Sequence, residues 1–288
     1  MPQVNYGLAT GEELSRMREI FLRCFGNGAA AEMEYIFARY GDALWCARKD
    51  GVPAAMLVAM PVTLATPKGE VPARYFYGVA THPDYRRQGL CGGLLAACCR
   101  TMTENGEGAA LLRPDSEKNR LLYRKNGFAD CSRVTAGDYA AAGGEALPCT
   151  PAEPRQYDAQ RRKFAPWGLQ WGADGLTAQK GWLKLYGGDL WLLGTPEQPR
   201  GCAAVSREGE TPLVRELLCP KEYAAAALEG LCRTLQTDRL RLALPVPLTV
   251  TVPLTVTVPN GITEPMMMVR KTGNIKLPQT IYTPLAMD

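Results

Sequence analysis

Hydrophobic residues in the first third of the chain occur in two patterns, first three or four positions apart and then in continuous runs. From Leu14 to Cys24 they recur every three or four positions behind two glutamates, which predicts an amphipathic helix with acidic residues in its first turn. A second helix is expected over Ala31–Tyr40. Apolar runs bounded by glycine-containing turns then predict three strands, Ala43–Arg48, Ala54–Ala65 and Arg74–Thr81.

Predicted helices and strands continue to about residue 135. Apolar residues spaced by four predict a helix over Gly89–Thr103, and the short apolar run Ala109–Leu112 predicts a strand. A helix over Ser116–Lys125 is expected to end at Asn126-Gly127, because glycine suits the left-handed position that follows a helix. With a last strand at Phe128–Val134, this order of elements predicts a mixed α/β fold.

The second half of the chain repeats part of this order. Its expected elements are strands at Leu190–Leu193, Cys202–Ser206 and Val214–Leu218, a helix at Glu222–Leu235, and strands near Leu240–Leu244 and Met266–Val269. We interpret the repeat as a degenerate duplication of the fold. The expected organisation is a first domain over residues 1–135, a linker with some helix over 136–165, where alanine, glycine, proline and charged residues dominate, and a second domain over 166–288.

An identical six-residue segment, PLTVTV, occurs twice, at residues 247–252 and 253–258. Alternating threonine and valine favour β structure, while a proline every six residues restricts it to a sheet edge or to the arms of a hairpin. We interpret the pair as a local hairpin extension without chemistry of its own.

Composition excludes several classes of protein. The chain has 288 residues, 46% apolar and 22% charged, and its net charge of +4 fits an anionic small ligand better than nucleic acid. No apolar run is long enough for a membrane span and the N-terminus lacks the apolar core of a signal peptide, so a cytoplasmic protein is expected. Ten cysteines without a C-x-x-C pair, and a single histidine, predict reduced core thiols and no metal.

The most specific segment is Tyr77–Arg100, which predicts a strand, a basic turn containing glycine, and a helix. Such a turn directs backbone N–H groups and two guanidinium groups at one point, which suits a diphosphate. Two other phosphate-binding motifs are excluded, because no Gly-Lys-Ser/Thr follows the turn and G-x-G-x-x-G is absent.

Two motifs around this turn resemble those of the GNAT superfamily of acyl-CoA N-acyltransferases. One is a Q/R-x-x-G-x-G/A loop behind a V-x-x-x-P-x-x-R run, found here over Val79–Gly92. The other is an aliphatic-Tyr-x-x-x-Gly-Phe signature, found here over Leu121–Phe128. The resemblance covers roughly residues 6–135 and departs at Cys91, where the family prefers glycine or alanine.

Within the superfamily, the R-R-x-G-L run and the long second half are similar to acetyltransferases of the enhanced-intracellular-survival type. Those proteins combine a catalytic acyltransferase domain, a degenerate second one and a small domain like a lipid carrier. The present chain is too short for all three. Its second half has Cys219–Tyr223, without glycine or an arginine pair, where a second phosphate turn is expected, so that half is predicted not to bind CoA.

The resemblance implies an acetyl-CoA site. Val79 and Thr81, with Ala80 between them, would bind the pantetheine through their backbones, and Asn119 would hydrogen-bond the pantetheine or phosphate region. The diphosphate would be held by a loop of seven residues: Arg86, Arg87, Gln88, Gly89, Leu90, Cys91 and Gly92. The family also places a tyrosine where Tyr123 stands, to protonate the CoA thiolate that leaves.

The general base is less evident from the sequence. No carboxylate occurs in Arg74–Thr81, and Glu70 lies about 30 Å from Val79 on a straight strand. In enzymes of the enhanced-intracellular-survival type the chain's own C-terminal carboxylate reaches the active site, which implies that role for Asp288. The single histidine, His82, precedes a proline in a turn and is expected to be structural.

We therefore expect an N-acetyltransferase that moves an acetyl group from acetyl-CoA to a primary amine by direct attack in a ternary complex. The acceptor, a small molecule or a peptide amine, and the oligomeric state, a homo-oligomer included, remain open at this point. Two alternatives also remain: a non-catalytic acyl-CoA-binding or regulatory module, and a nucleotide-binding module. Neither nucleic acid nor a membrane is expected as a partner.

Overall fold

The computed structural model describes residues 3–246 and 261–285, which form two mixed sheets with helices between and outside them. The strands of these ranges are β1 (Val4–Leu8), β2 (Leu44–Lys49), β3 (Val52–Thr66), β4 (Gly69–Thr81), β5 (Ala109–Leu112), β6 (Ala129–Asp130), β7 (Arg133–Ala140), β8 (Cys149–Pro151), β9 (Gly168–Gln170), β10 (Asp189–Gly194), β11 (Pro199–Glu208), β12 (Thr211–Leu218), β13 (Arg239–Pro245), β14 (Ile262–Pro265) and β15 (Met268–Lys271). The α-helices are α1 (Leu14–Phe25), α2 (Ala30–Tyr40), α3 (Leu90–Glu104), α4 (Glu117–Lys125), α5 (Pro154–Phe164), α6 (Gly172–Leu185) and α7 (Ala224–Thr234). The predicted PLTVTV hairpin lies outside the described residues.

The two sheets have the same internal order. The first runs β1-β2-β3-β4-β5-β15-β6, with β9 beside the far end of β3, and the second runs β8-β10-β11-β12-β13-β7-β14. Neighbouring strands are antiparallel except β4 with β5 and β12 with β13, which are parallel. In each half one strand, two helices and three antiparallel strands precede a helix and a parallel strand. The mixed α/β fold and its degenerate repetition are thereby confirmed.

The two halves exchange their last strands. After β6 at the edge of the first sheet, the chain crosses into the second sheet as β7, between β13 and β14. After β14 at the edge of the second sheet, it crosses back as β15, between β5 and β6. The single strand predicted at Phe128–Val134 was therefore wrong, because that segment is divided between the two sheets as β6 and β7. The strand predicted near Met266–Val269 corresponds to β15, which begins at Met268.

Residues 136–165, which the composition predicted to be a linker, contribute to the second sheet and its helical cover. They contain the end of β7, all of β8 and all of α5. Helix α5 is rich in charged residues, but one of them, Arg161, is buried in an ion pair with Glu216 of β12, with 3.2 Å between Nε and Oε1. A buried charge of this kind is invisible to a composition argument, which assigns charged residues to the surface.

Three hydrophobic clusters define the layers. Helices α3 and α4 cover the outer face of the first sheet, and α7 covers the outer face of the second. The largest cluster lies between the sheets and includes side chains from α1, α2, α5 and α6. Of the helices described, none combines the length and hydrophobicity that crossing a membrane requires.

The strand exchange predicts that β15 stabilises a sheet from which it is remote in sequence. Met268 is fully buried against the α3 side of the first sheet, whereas Ile262 of β14 is 73% exposed. We expect Met268→Ala to lower the free energy of unfolding by about 2–5 kcal/mol, since it opens a cavity in a packed core. Urea unfolding followed by circular dichroism measures this loss.

The matched control is Ile262→Ala, which removes a similar apolar side chain from β14, the exposed strand that precedes β15 in the chain. It should change the free energy of unfolding by about 0.5 kcal/mol or less. Equal losses in the two variants would contradict the inferred position of β15.

Candidate functional site

A bulge bends β4 in the middle of the first sheet. The register with β3 shifts between Tyr77 and Ala80, so that Gly78 and Val79 together oppose one residue of β3. Gly78 has φ of 60°, a conformation that glycine adopts at no steric cost. A Cβ atom at Gly78 would also lie 3.0 Å from Cε2 of Phe21. The bulge redirects the strand just before its end.

Strand β4 parts from β5 at the same place. The two strands pair only from Ala73 to Tyr75 of β4, and residues 76–81 have no strand partner on that side within the described ranges. A cavity of about 70 Å³ opens between them. Its lining residues are Phe25, Tyr75, Phe76, Tyr77, Gly78, Val79, Arg113, Asp115, Asn119 and Tyr123. We call it the β4–β5 cavity.

Helix α3 begins beyond the end of β4 without a side-chain cap. Its N-cap is Gly89, with φ of 78°, and no side chain bonds the free N–H groups of the first turn. Arg87 also has positive φ, 62°, so the loop is tightly wound before the helix starts. Uncapped N–H groups and the positive end of the helix dipole together form an anion-binding position.

The side chains of the predicted loop differ in their surroundings. The Arg86 guanidinium donates from Nε to the carbonyl of Thr81 at 3.2 Å and lies 3.6 Å from Sγ of Cys24, so it is held against the end of β4. Lys49 donates to Oε1 of Gln88 at 2.5 Å. Arg87 is exposed and makes no hydrogen bond or ion pair within the described part of the chain.

Other predicted site residues turn their side chains into the core. Ala80 and Leu90 are buried, which leaves only their backbone groups for a ligand. Gly92 packs so closely that a Cβ atom there would lie 2.8 Å from Oδ1 of Asn126. Burial raises the pKa of the Cys91 thiol to about 11, so the thiol is protonated near neutral pH and is a poor nucleophile.

Helix α4 brings two predicted residues to the β4–β5 cavity. Ser116 caps the helix by accepting from the backbone N–H of Asn119 at 3.3 Å, and the Asn119 side chain donates to Oδ1 of Asp115 at 2.8 Å. Tyr123 lies one turn further, 6% exposed and packed against Phe128. Burial raises the pKa of Tyr123, so its hydroxyl remains a proton donor.

The opposite wall of the β4–β5 cavity is fixed by the second half of the chain. Tyr77 hydrogen-bonds the buried carboxylate of Glu32 on α2, and that carboxylate also accepts from Trp182 Nε1 at 2.6 Å and from the Tyr186 hydroxyl at 2.5 Å. Trp182 and Tyr186 belong to α6 or its C-cap. Burial, and then Glu32, raise the pKa of Tyr77.

A second cavity, of about 150 Å³, lies between the two sheets. We call it the inter-sheet cavity. Its lining residues are Arg113, Val134, Ala136, Glu208, Leu213, Arg215, Arg241, Leu242, Ala243, Pro245, Glu264, Met266, Thr283 and Leu285. Arg113 lines both cavities, so the two are adjacent at this guanidinium.

Sequence reasoning missed Arg113, Asp115 and Arg215. Arg113 and Asp115 directly follow β5, where the carboxyl end of a parallel strand meets the parted end of β4. Side chains at such ends commonly line ligand sites, and that rule could have identified the two residues. Arg215 comes from the second half, and no local pattern connects it to the turn at Gly89.

Two further predictions concern His82 and Asp288. His82 is 3% exposed, and its Nδ1 accepts from the backbone N–H of Asp84 at 3.4 Å, an arrangement that caps the turn after β4. Asp288 lies outside the described residues, so its role stays a prediction. In the described ranges, no three His, Cys, Asp or Glu side chains come together as ligands for a metal ion.

Comparison with known proteins agrees with this geometry. Residues 5–130 match a family model described as an acetyltransferase (GNAT) domain. A search of curated protein sequences finds no match to the chain.

Several solved structures share the fold over nearly the whole chain. A GCN5-related N-acetyltransferase from Anabaena variabilis is 16% identical with a TM-score of 0.71, over 94% of this chain and 73% of that one. Eis1 from Mycobacterium abscessus is 17% identical with a TM-score of 0.67, over 94% and 74%. A tandem GNAT protein from the clavulanic acid biosynthesis pathway is 12% identical with a TM-score of 0.55, over 95% and 100%. At these identities the likeness shows the fold alone.

The half-buried thiol of Cys91 leads to a labelling prediction. With its pKa at about 11, the thiolate fraction falls about tenfold for each pH unit below that value, and the thiolate is the species that reacts. Alkylation of Cys91 by iodoacetamide, followed by peptide mass spectrometry, should therefore be very slow at pH 8 and accelerate through pH 10. Rapid labelling at pH 7 would contradict the inferred burial and would make Cys91 a candidate nucleophile.

Proposed function

We propose that this chain, whose residues 5–130 match the acetyltransferase (GNAT) domain model, transfers an acetyl group from acetyl-CoA to a primary amine by direct attack in a ternary complex. The observation that carries this proposal is the β4–β5 cavity, which has Tyr123 in its wall and the uncapped start of α3 beside it. The acetyl thioester is the group that acetyl-CoA would supply there.

The backbone of the chain would bind the cofactor. The N–H groups from Arg87 to Gly92 would hold the diphosphate, with the exposed Arg87 adding a charge-assisted contact. Backbone groups near the bulge, at Val79 and Thr81, are candidates for the pantetheine amides, because β4 has lost its neighbour there. The Thr81 carbonyl already accepts from Arg86 and Cys24, so Val79 is the better placed of the two.

Tyr123 would act as the general acid. When an amine nitrogen attacks the thioester carbon and the C–S bond breaks, the sulfur leaves as a thiolate that needs a proton. The Tyr123 hydroxyl is kept protonated by burial, and Tyr123 lines the cavity, so the hydroxyl is the candidate to supply that proton. Asn119 and Asp115, linked to each other on α4 and its preceding turn, complete this wall.

The amine would approach from the inter-sheet cavity. That cavity meets the β4–β5 cavity at Arg113, and most of its lining comes from the second half of the chain. A degenerate half therefore has a function in this proposal, as the wall that selects the acceptor. The proposal extends only to a small-molecule or peptide amine.

Asp288 remains the proposed general base. Thr283 and Leu285 line the inter-sheet cavity, and three further residues span at most about 10 Å. A carboxylate within this span of Leu285 would be able to take a proton from the attacking ammonium group, directly or through water.

Removing the Tyr123 hydroxyl tests the proposal. In Tyr123→Phe we expect kcat to fall about a hundredfold or more, since the leaving thiolate loses its acid, while acetyl-CoA affinity measured by calorimetry is retained. Activity is followed as thiol release from acetyl-CoA across a panel of primary amines.

The matched control is Tyr139→Phe, which removes a hydroxyl on β7 that donates to Glu229 of α7, and Tyr139 lines neither cavity. It should leave kcat unchanged. Acetyl-CoA binding without thiol release from any amine in the wild type would favour the non-catalytic binding module, and stabilisation by ATP but not by acetyl-CoA would favour the nucleotide-binding alternative.

Replacing the proposed base gives a different signature. Asp288→Asn with one glycine added after it, which removes the side-chain carboxylate and displaces the terminal carboxylate from residue 288, should lower kcat/KM most at neutral pH, where the amine is protonated. The deficit should shrink as the pH approaches the pKa of the amine. The pH profile of thiol release measures this, with Asp158→Asn as control, because Asp158 is paired with Arg162 on α5 and lines neither cavity. A deficit that does not vary with pH would argue against a base at Asp288.

A further inference from the structure

We propose that Phe25 limits the acyl group of the donor to a short chain, acetyl or propionyl. The inference rests on the proposed function, because it concerns the thioester that would be cleaved beside Tyr123. It goes beyond that function by naming which acyl donors the site accepts and which it rejects. The position of Phe25 in the lining of the β4–β5 cavity carries the argument.

Phe25 is a large apolar side chain that the core leaves partly uncovered. It is the last residue of α1 and is 44% exposed, whereas Phe21, one turn earlier on the same face of the helix, is 1% exposed. Phe25 lines the β4–β5 cavity together with four other aromatic side chains. A group bound in this cavity would therefore contact the ring and remove apolar surface from water.

The neighbours of Phe25 hold its ring in place. Its ring centroid lies 4.5 Å from that of Phe21. Phe21 in turn packs against the bulge, since its Cε2 lies 3.0 Å from the position that a Cβ atom of Gly78 would take. Next to Phe25 in the chain, Cys24 donates from Sγ to the carbonyl of Thr81 at 3.3 Å. The end of α1 is thereby fixed to the end of β4, and the ring is held as part of the cavity wall.

The two cavities separate the donor side of the proposed site from the acceptor side. In the described part of the chain, Phe25 and Tyr123 both line the β4–β5 cavity, and neither lines the inter-sheet cavity, from which the amine would approach. The group that Phe25 contacts is therefore the one held beside Tyr123. In the proposed reaction that group is the acyl part of the thioester.

The size of the β4–β5 cavity limits the length of that group. Its volume is about 70 Å³, whereas pockets for drug-sized ligands span about 300–1,000 Å³. Each methylene added to the acyl chain has to be placed against a wall of aromatic rings or has to displace one of them. Overpacking of this kind is costly, so a chain longer than propionyl is disfavoured.

The first arm of the experiment varies the donor. Thiol release is measured with acetyl-, propionyl-, butyryl- and hexanoyl-CoA, and one amine that the wild type acetylates, for wild type, Phe25→Leu and Phe25→Ala. Phe25→Ala should raise the ratio of kcat/KM for butyryl-CoA to that for acetyl-CoA about tenfold or more. The reason is that one methylene in an apolar pocket changes such a ratio by about 10–200-fold. Phe25→Leu should give an intermediate ratio.

The second arm makes the side chain larger. Phe25→Trp should lower kcat/KM for propionyl-CoA relative to acetyl-CoA, a change that loosening of the fold would not produce. The matched control in both arms is Leu185→Ala. Leu185 is the last residue of α6, is also 44% exposed and lines neither cavity, so this variant should keep the donor preference of the wild type.

Calorimetry with the same four thioesters measures the chain-length limit without turnover, and thermal unfolding shows whether each variant is folded. The proposal is overturned if folded Phe25→Ala keeps the order of donors of the wild type, or if it changes only the preference among amines. Either result would leave the proposed acetyl transfer standing, since Tyr123→Phe tests it with acetyl-CoA alone. A wild type that binds none of the thioesters would overturn both.

Discussion

The site depends on one interruption in backbone pairing, the loss of β5 as a neighbour of β4 after Tyr75. Strand edges that leave the ladder must satisfy their N–H and C=O groups elsewhere, and a ligand with amide groups is one way to do so. The bulge at Gly78 and the close approach of Phe21 keep the strand bent there. Everything else in the proposed reaction is arranged around this gap: the start of α3 at one end, Tyr123 on α4, and Arg113 at the tip of β5.

The exchange of β7 and β15 makes the site a property of the whole chain. Strand β15 lies between β5 and β6, so the segment that carries Arg113 is held in place by a strand from the end of the second half. In return, β7 carries Val134 and Ala136 into the wall of the inter-sheet cavity. Two halves joined in this way cannot move apart as independent domains without breaking both sheets, so the position of the inter-sheet cavity relative to the β4–β5 cavity is fixed by the fold.

Much of the first half could be predicted from the sequence because its signals are local. The helices at Leu14 and Gly89 have regular apolar spacing, and the turn before α3 and the Leu121–Phe128 signature occur at fixed offsets. The exchange could not be predicted, since Phe128–Val134 looks like a single strand until the sheet that each part joins is known, and no pattern near Met266–Val269 indicates that β15 joins the first sheet. Arg113 and Arg215 were missed for the same reason: their proximity follows from the packing of two sheets, and no spacing along the chain encodes it.

A buried network explains why the last described residues approach the inter-sheet cavity. Glu216 on β12 accepts from the hydroxyl of Tyr157 at 2.5 Å and from that of Tyr282 at 2.8 Å, and it pairs with Arg161. An isolated carboxylate buried this deeply would be strongly unfavourable. The charge of Glu216 therefore depends on its three partners, and the charge of Arg161 depends on Glu216. Tyr282 is thereby tied to the second sheet, and Thr283 and Leu285 follow it into the cavity wall. Arg161, one of the charged residues that made α5 resemble a linker in composition, therefore belongs to the network that places the end of the described chain beside the inter-sheet cavity.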